Sequence, residues 1–266
     1  MAEPKLSSVG VLAQQGDPDR FKAAICASES ARERMFAVIA LNVEIAKIPV
    51  TVSEPLLGEI RLQWWIDAVE DLCDGKAVRD QEIVAALSGD VRDKDLLLAL
   101  INARRFDIHD LPMQSDQALD DYLTDTGGAI AQLMASRNEV VAKVGWAEAA
   151  GRLIEALPAL YHHGISAIPV EGKLDLNAIA EGKTPDNLRA AVSQLAGRGL
   201  SKLANARAER KKAQGDALAA CMSAHIYEPT LRAAAAPDFN IFTSPVRPSP
   251  FRANLNFLVR AVSGRW

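Results

Sequence analysis

The sequence predicts an all-α protein, and three features carry that prediction. Aromatic residues make up only 5 % of the 266 residues, whereas 49 % are hydrophobic, which favours helices over a β-sandwich. Apolar residues recur at helical spacing along most of the chain, and no segment shows a convincing strand pattern. We therefore expect roughly eight to ten helices around a large buried core.

The first two helices follow from capping signals and from the apolar pattern. Residues 1–16 are expected to form a loosely ordered lead to a single helical domain, 17–266. Asp17 suits the N-cap of a first helix, and Pro18 suits its first turn. A second helix, 30–48, is apolar around nearly its full circumference, so it should run through the middle of the core.

The third helix, 53–75, is expected to place an arginine in the core. At about 100° per residue, one broad apolar side collects Leu57, Ile60, Trp64, Trp65, Ala68 and Leu72. Arg61 lies in the middle of that side. A buried guanidinium needs an anionic partner because it loses its water, and Glu44 in the second helix supplies one. We predict a Glu44–Arg61 core ion pair with a structural role.

The rest of the chain continues the helical pattern. We expect helices at 80–87, 94–105, 117–144 with a continuation to 160, 186–211, 217–232 and 251–266. Small residues at Thr126-Gly127-Gly128-Ala129 interrupt the longest segment. Each glycine there costs about 1 kcal/mol relative to alanine, so it needs a reason. Close helix packing, a kink and a ligand cavity are the alternatives.

Several classes of function lack support in the sequence. A net charge of −4 gives no electrostatic case for nucleic acid, and the sequence has no GxGxxG, P-loop or GxSxG motif. Three widely spaced cysteines fit reduced thiols. The start lacks the apolar core of a signal peptide, and no stretch is long and apolar enough to span a membrane. We expect a cytoplasmic protein for which peripheral membrane contact stays open.

Two charged clusters each allow a functional and a structural interpretation. Asp121 and Asp125 lie four residues apart and could hold Mg²⁺, or could form a solvated helix face. The basic run at 198–212 could attract phosphates or an anionic membrane, although it lacks the bulky apolar face of a membrane anchor. Adjacent His162 and His163 would point in different directions on a helix, which argues against a shared metal ion.

Several stretches of the sequence resemble the squalene/phytoene synthase family. They are DPDRF at 17–21, FAVIALNVEIAKI at 36–48, EPLLGEIRLQWWIDAVE at 54–70, TGGAIAQLMA at 126–135 and GWAEAAGRLIEALPALYHHG at 145–164. The resemblance is most specific at GEIRLQWW. It looks closest to the branch that contains the mitochondrial complex I assembly factor and its bacterial relatives. It implies an isoprenoid synthase-type helical bundle around a central apolar cavity.

The resemblance also locates two departures from the active members of the family, which bind Mg²⁺ and a prenyl diphosphate between two Asp-rich motifs. At the first motif this chain has Asn42-Val43-Glu44-Ile45-Ala46-Lys47, and at the second it has Ala159-Leu160-Tyr161-His162-His163. The resemblance implies a cavity without catalytic residues, resident metal or cofactor. Its expected lining is Asn42, Trp64, Trp65, Gly127, Gly128, Met134, Tyr161 and His162.

Two functions follow as hypotheses. In the first, the chain is non-catalytic and binds an isoprenoid or another lipid, or acts on a protein partner as an assembly factor. In the second, it is a Mg²⁺-dependent head-to-head prenyltransferase for farnesyl or geranylgeranyl diphosphate, with Asp121 and Asp125 as metal ligands. The first is favoured because a lone carboxylate in the first motif cannot hold a cluster of divalent ions.

Overall fold

The computed structural model describes residues 6–89, 93–109, 111–243, 247 and 249–266, and every regular element in those ranges is helical. The all-α prediction is therefore confirmed. The helices are α1 Ser8–Gly16, α2 Pro18–Ile25, α3 Glu29–Thr51, α4 Pro55–Cys73, α5 Glu82–Leu87, α6 Lys94–Ile108, α7 Asp116–Leu123, α8 Ala129–Ala135, α9 Glu139–His162, α10 Leu176–Ala180, α11 Asp186–Ala208, α12 Asp216–Cys221, α13 Ala224–Ala234 and α14 Pro250–Ser263. A π-helical turn, Thr124–Gly128, joins α7 to α8. Within the described ranges, no helix has both the length and the apolarity needed to cross a bilayer.

Helix α3 lies at the centre of the fold, as its apolar circumference predicts. Every residue from Met35 to Leu41 is fully buried, and α3 packs against helices on several sides, including α1, α6 and α8. Pro49 lies inside the last turn and does not end the helix. A proline so close to the end removes one backbone hydrogen bond without redirecting the chain.

The expectation of a loosely ordered lead is wrong for residues 8–16, which form α1, whereas residues 1–5 lie outside the described part. The hydroxyl of Ser7 caps α1 by accepting a hydrogen bond from the amide of Gly10 at 3.1 Å. Val9 and Ala13 are buried, and α1 packs along α3. A helix of nine residues depends on such packing more than on its own helix propensity. The residues of α1 by themselves therefore predict this helix only weakly.

Helix α4 is rotated relative to the predicted face. Its buried side collects Gly58, Leu62, Trp65, Ile66, Ala68 and Val69. Leu57, Ile60 and Arg61 are exposed instead. Apolar residues occur on two sides of this helix, and periodicity alone does not decide which side meets the core. Pro55 occupies the first turn as expected, but Glu54 and not Ser53 holds the N-cap position.

Two glycines let α9 cross the π-helical turn at backbone contact. A Cβ on Gly127 would lie 2.3 Å from the carbonyl oxygen of Gly145, and a Cβ on Gly145 would lie 2.2 Å from that of Gly127. At Gly128 the nearest atom to such a Cβ is 3.6 Å away. Close packing is therefore the reason for Gly127, and the crossing sets the distance between α9 and the segment that precedes α8.

We predict opposite outcomes for the two adjacent glycines. Gly127→Ala should destabilise the fold by about 3 kcal/mol or more, because the added methyl group meets backbone that cannot move aside. Gly128→Ala should be neutral or stabilising by up to about 1 kcal/mol, because its backbone is α-helical and an added methyl group would meet its neighbours at ordinary van der Waals distance. Urea unfolding of both variants measures the difference. Equal stabilities of the two variants would contradict the close approach of α9 to the π-helical turn at Gly127.

Candidate functional site

A cavity of about 700 Å³ opens between α3 and α9 and is closed on its other sides by the α1–α2 junction, α6 and the π-helical turn. Most of its wall is aliphatic, with contributions from both long helices. Polar side chains enter the wall at two places, one near Asp17 and one near Arg104. A cavity with these properties, mostly apolar with a few convergent polar groups, is the usual form of a small-molecule site.

Helix α3 presents one face to the cavity through Asn42, Val43, Ala46 and Lys47. This is the segment that stands at the first Asp-rich motif of the family. The acid in that segment, Glu44, does not line the cavity. Its carboxylate binds Lys47 at 2.7 Å, and both side chains also line a smaller pocket on the surface. The α3 residues that line the large cavity therefore include an amide and a lysine, without a carboxylate.

Apart from Arg152, helix α9 presents an apolar face to the cavity. Ala149, Leu153, Ala156 and Leu160 repeat at intervals of four, three and four residues and line the cavity together. At the position of the second Asp-rich motif, Ala159, His162 and His163 point to solvent. The prediction that His162 lines the cavity is therefore wrong, because the helix turns that position outward.

Four charged side chains form a buried cluster at one end of the cavity. Arg20 binds Asp17 and Glu148, each at 3.0 Å. Arg152 binds the same two carboxylates at 2.9 and 2.8 Å. The hydroxyl of Ser223 donates a further hydrogen bond to Glu148 at 2.5 Å. Asp17 also caps α2, as the sequence predicts, by accepting from the amide of Arg20.

The charges in this buried cluster stabilise one another. Burial by itself would raise the pKa of Asp17, but Arg20 and Arg152 outweigh it and hold that pKa below its usual range. Burial would lower the pKa of Arg152, but Glu148 and Asp17 raise it above its usual range. Asp17 and Arg152 therefore remain charged, and the cluster joins α2 to α9.

A second polar network closes the side of the cavity. Arg104 donates to Asn42 at 3.0 Å, to Asp107 at 3.0 Å and to the hydroxyl of Tyr122 at 3.1 Å. Tyr122 in turn donates to Asp107 at 2.8 Å. Burial and the neighbouring Asp107 raise the pKa of Tyr122, although Arg104 opposes this, so the phenol remains protonated. Asn42 thus lines the cavity as a member of a network that spans α3, α6 and α7.

The predicted core ion pair between Glu44 and Arg61 is wrong. Arg61 is exposed, and its guanidinium donates to the hydroxyl of Thr51 at 3.2 Å. Glu44 and Arg61 instead line a smaller surface pocket of about 330 Å³, together with Lys47, Trp64 and Trp65. Trp64 and Trp65 therefore border this pocket and not the large cavity, a second correction that follows from the rotation of α4.

The remaining predicted lining residues divide between the cavity and the core. Gly127 lines the cavity, whereas Gly128 does not. Met134 is buried on α8, and Tyr161 is buried near the end of α9, but neither lines the cavity. Their apolar character is used in packing, which sequence reasoning could not separate from a role in the cavity.

Asp121 and Asp125 also lie outside the cavity lining. Asp121 is exposed and accepts a hydrogen bond from Gln117 at 2.8 Å. Partial burial, together with the nearby Asp121, raises the pKa of Asp125. Across the described ranges, no group of three or more His, Cys, Asp or Glu side chains is arranged to hold a metal ion.

Sequence reasoning missed most of the charged side chains of the wall, namely Arg20, Arg104, Asp107 and Arg152, and the buried Glu148 behind it. One signal was available for the last two. Glu148 and Arg152 are four residues apart in an otherwise apolar helical stretch, which is the spacing of a helical ion pair. A charged pair on a helix that is buried on most sides marks a polar site inside the fold.

Comparison with known proteins follows the same segments. The squalene/phytoene synthase family model matches residues 13–157, which span the cavity helices α2, α3, α6 and most of α9. Among solved structures, a dehydrosqualene synthase in complex with ligand matches with a TM-score of 0.73 at 14 % identity, over 96 % of this chain and 94 % of that chain. At that identity the likeness shows the fold alone, an isoprenoid synthase-type helical bundle.

Two curated relatives carry the name NADH dehydrogenase (ubiquinone) complex I, assembly factor 6. The protein from Mus musculus is 33 % identical over 102 residues, which is 36 % of this chain and 30 % of the relative. The protein from Homo sapiens is 26 % identical over 125 residues, which is 46 % of this chain and 38 % of the relative. The matches thus span about a third of the length of these relatives.

The buried cluster gives a prediction for stability. Glu148→Gln removes a carboxylate that is 2 % exposed and leaves two guanidinium groups sharing Asp17, so we expect a loss of about 3–5 kcal/mol. Glu181→Gln is the matched control, because Glu181 pairs with Lys183 in solvent and exposed pairs contribute little. Chemical denaturation compares the two variants with the unaltered protein. Equal stability of all three would show that the cluster does not support the fold.

Proposed function

The chain belongs to the squalene/phytoene synthase family, and on that basis we propose that it works by binding an amphipathic, anionic ligand in the cavity and not by catalysis. The charge of the cavity wall carries this proposal. Four cations line the wall, Arg20, Lys47, Arg104 and Arg152, against two carboxylates. An anionic head group would complement this wall, and the aliphatic face of α9 would receive its tail.

The partners of the four cations explain the excess of positive charge. Asp17 and Asp107 lie in the wall, but Glu44 and Glu148, which pair with Lys47 and with the Arg20–Arg152 cluster, do not line it. The four cations are therefore held in place by acids, two of which, Glu44 and Glu148, lie outside the cavity lining. Arginine and lysine arranged in this way bind carboxylate or phosphate groups directly.

The magnesium that active family members use does not fit these residues. Mg²⁺ takes carboxylate oxygens, water and substrate phosphates in octahedral geometry. Both carboxylates in the wall already accept hydrogen bonds from arginine, Asp17 from Arg20 and Arg152, and Asp107 from Arg104. Asp121 and Asp125, the acids that an active enzyme would need, lie outside the lining. We therefore derive no metal-dependent step for this chain.

The names of the Mus musculus and Homo sapiens relatives point to the assembly of a protein complex. A role in assembly requires recognition and no bond-making step, which agrees with a wall that lacks acids at both motif positions. We infer that this chain likewise acts on a protein partner, with the bound ligand as a structural or regulatory element. The rival function, prenyl transfer, needs a magnesium-bound diphosphate, and the described residues contain no group of three or more His, Cys, Asp or Glu side chains that could hold a metal ion.

Ligand binding can be tested with cis-parinaric acid, a fluorescent fatty acid, and with its uncharged methyl ester. We expect saturable binding of the acid that EDTA does not change. Ala156→Trp should weaken binding of both probes because it places a large side chain in the cavity wall, whereas Ala159→Trp, at a position of the same helix outside the cavity lining, should not. Lys47→Gln should weaken binding of the acid about tenfold more than binding of the ester, because it removes one charge-assisted hydrogen bond.

The same titration has two outcomes that would count against the proposal. If Ala156→Trp binds the acid as tightly as Ala159→Trp does, the probe does not occupy the cavity. If binding requires added Mg²⁺ and disappears with EDTA, the cations of the wall do not hold the head group.

A further inference from the structure

Helix α14 carries an apolar stripe that faces solvent. Phe251, Leu255, Leu258 and Val262 follow one another at intervals of four, three and four residues, and Val259 lies beside them. The exposed fractions run from 49 % at Leu255 to 90 % at Val262. A helix on the surface of a globular protein normally turns such a face inward, so here the face lacks a partner within the described part of the chain.

The opposite side of α14 is held against the body of the protein, which fixes the stripe outward. The ring of Phe257 lies 5.8 Å from that of His225, and Asn254 accepts a hydrogen bond from Lys22 at 3.0 Å. Trp266 is buried, and its carbonyl oxygen accepts from Arg207 at 3.2 Å. Arg207 is itself positioned by Glu228, whose pKa Arg207 and Arg232 hold at about 2 against the effect of burial.

The charge around α14 differs from that of the whole chain. Residues 239–266 contain four arginines and no lysine, aspartate or glutamate, although the whole chain carries a net charge of −4. Arg247 is paired with Glu155 at 2.7 Å. The other three arginines lie within or just after α14, next to the stripe in sequence. Exposed aliphatic and aromatic side chains combined with arginine only are typical of helices that lie in the interface of an anionic membrane.

Two other surfaces fit an anionic membrane less well. The exposed side of α4 is apolar, but its charges are of both signs and pair with each other, as Glu59 does with Arg105 and His109. In the basic run at 198–212, Arg198 binds Asp120 and Lys202 lies 4.7 Å from the ring of Trp146. Arg210 and Lys211 are exposed, but no exposed large apolar side chain lies in this run among the described residues, so it lacks the apolar face that a membrane contact needs.

We propose that α14 binds the surface of an anionic lipid bilayer, with its apolar stripe in the boundary between head groups and acyl chains. Arg265, which is exposed, would bind lipid phosphate, and the helix would lie in the plane of the membrane. Arg260 is half-buried beside Arg207 and Glu228 and is not counted among the lipid contacts. The proposal does not depend on the cavity, because α14 contributes no residue to the cavity lining.

Sedimentation with vesicles tests the proposal. We expect the protein to bind vesicles that contain phosphatidylglycerol in phosphatidylcholine, to bind pure phosphatidylcholine at least about tenfold less, and to dissociate at high salt. The triple variant Leu255→Ser, Leu258→Ser, Val262→Ser should lose about tenfold or more of this binding. Its three side chains are exposed, so its melting temperature should equal that of the unaltered protein, which a thermal melt by circular dichroism would check.

The matched control is Leu57→Ser with Ile60→Ser, which removes exposed apolar side chains from α4 and should leave vesicle binding intact. The proposal fails if the unaltered protein does not bind anionic vesicles, if it binds neutral vesicles equally, or if the α4 variant and not the α14 variant loses binding. It also fails if light scattering shows a dimer that the α14 variant dissociates, because the stripe would then be a protein interface.

Discussion

The buried cluster of ion pairs between α2 and α9 is the interaction on which the site depends. Arg20 and Arg152 each bind both Asp17 and Glu148, so the four groups form a closed set in which every charge has two partners. Such a set tolerates burial because its pairs offset the cost of losing water. Since Asp17 also begins α2 and Glu148 and Arg152 lie on α9, the same contacts fix the end of the cavity and the position of its aliphatic wall.

This arrangement gives the cavity a chemical character different from that of a metal-dependent prenyl synthase. Its carboxylates are either committed to arginine or placed behind the wall, and α9 contributes alanine and leucine where acids would be needed. The glycine crossing at Gly127 and Gly145 keeps α9 close to the π-helical turn, so the apolar wall is set by backbone packing. The outcome is a space suited to an apolar chain with a negatively charged end.

The sequence was sufficient for the fold and insufficient for the orientation of the site. Helical spacing and capping located most elements, and the family resemblance supplied the architecture that the structural likeness shows. Predictions failed where a choice depended on tertiary contacts: α4 has apolar residues on two sides, so Arg61 was assigned to the core although it is exposed. The buried charges lie instead at Glu148 and Arg152, whose partners are more than a hundred residues away in the chain. Local pattern cannot supply such partners.

The central claim is that this cavity binds an anion without magnesium and therefore does not ionise a prenyl diphosphate. Incubation of the protein with farnesyl diphosphate and Mg²⁺, followed by measurement of released inorganic diphosphate, tests it most directly. The account predicts no release above that of a sample without protein. Steady release that Ala156→Trp or Asp121→Ala abolishes would contradict it and would assign prenyltransferase activity to this chain.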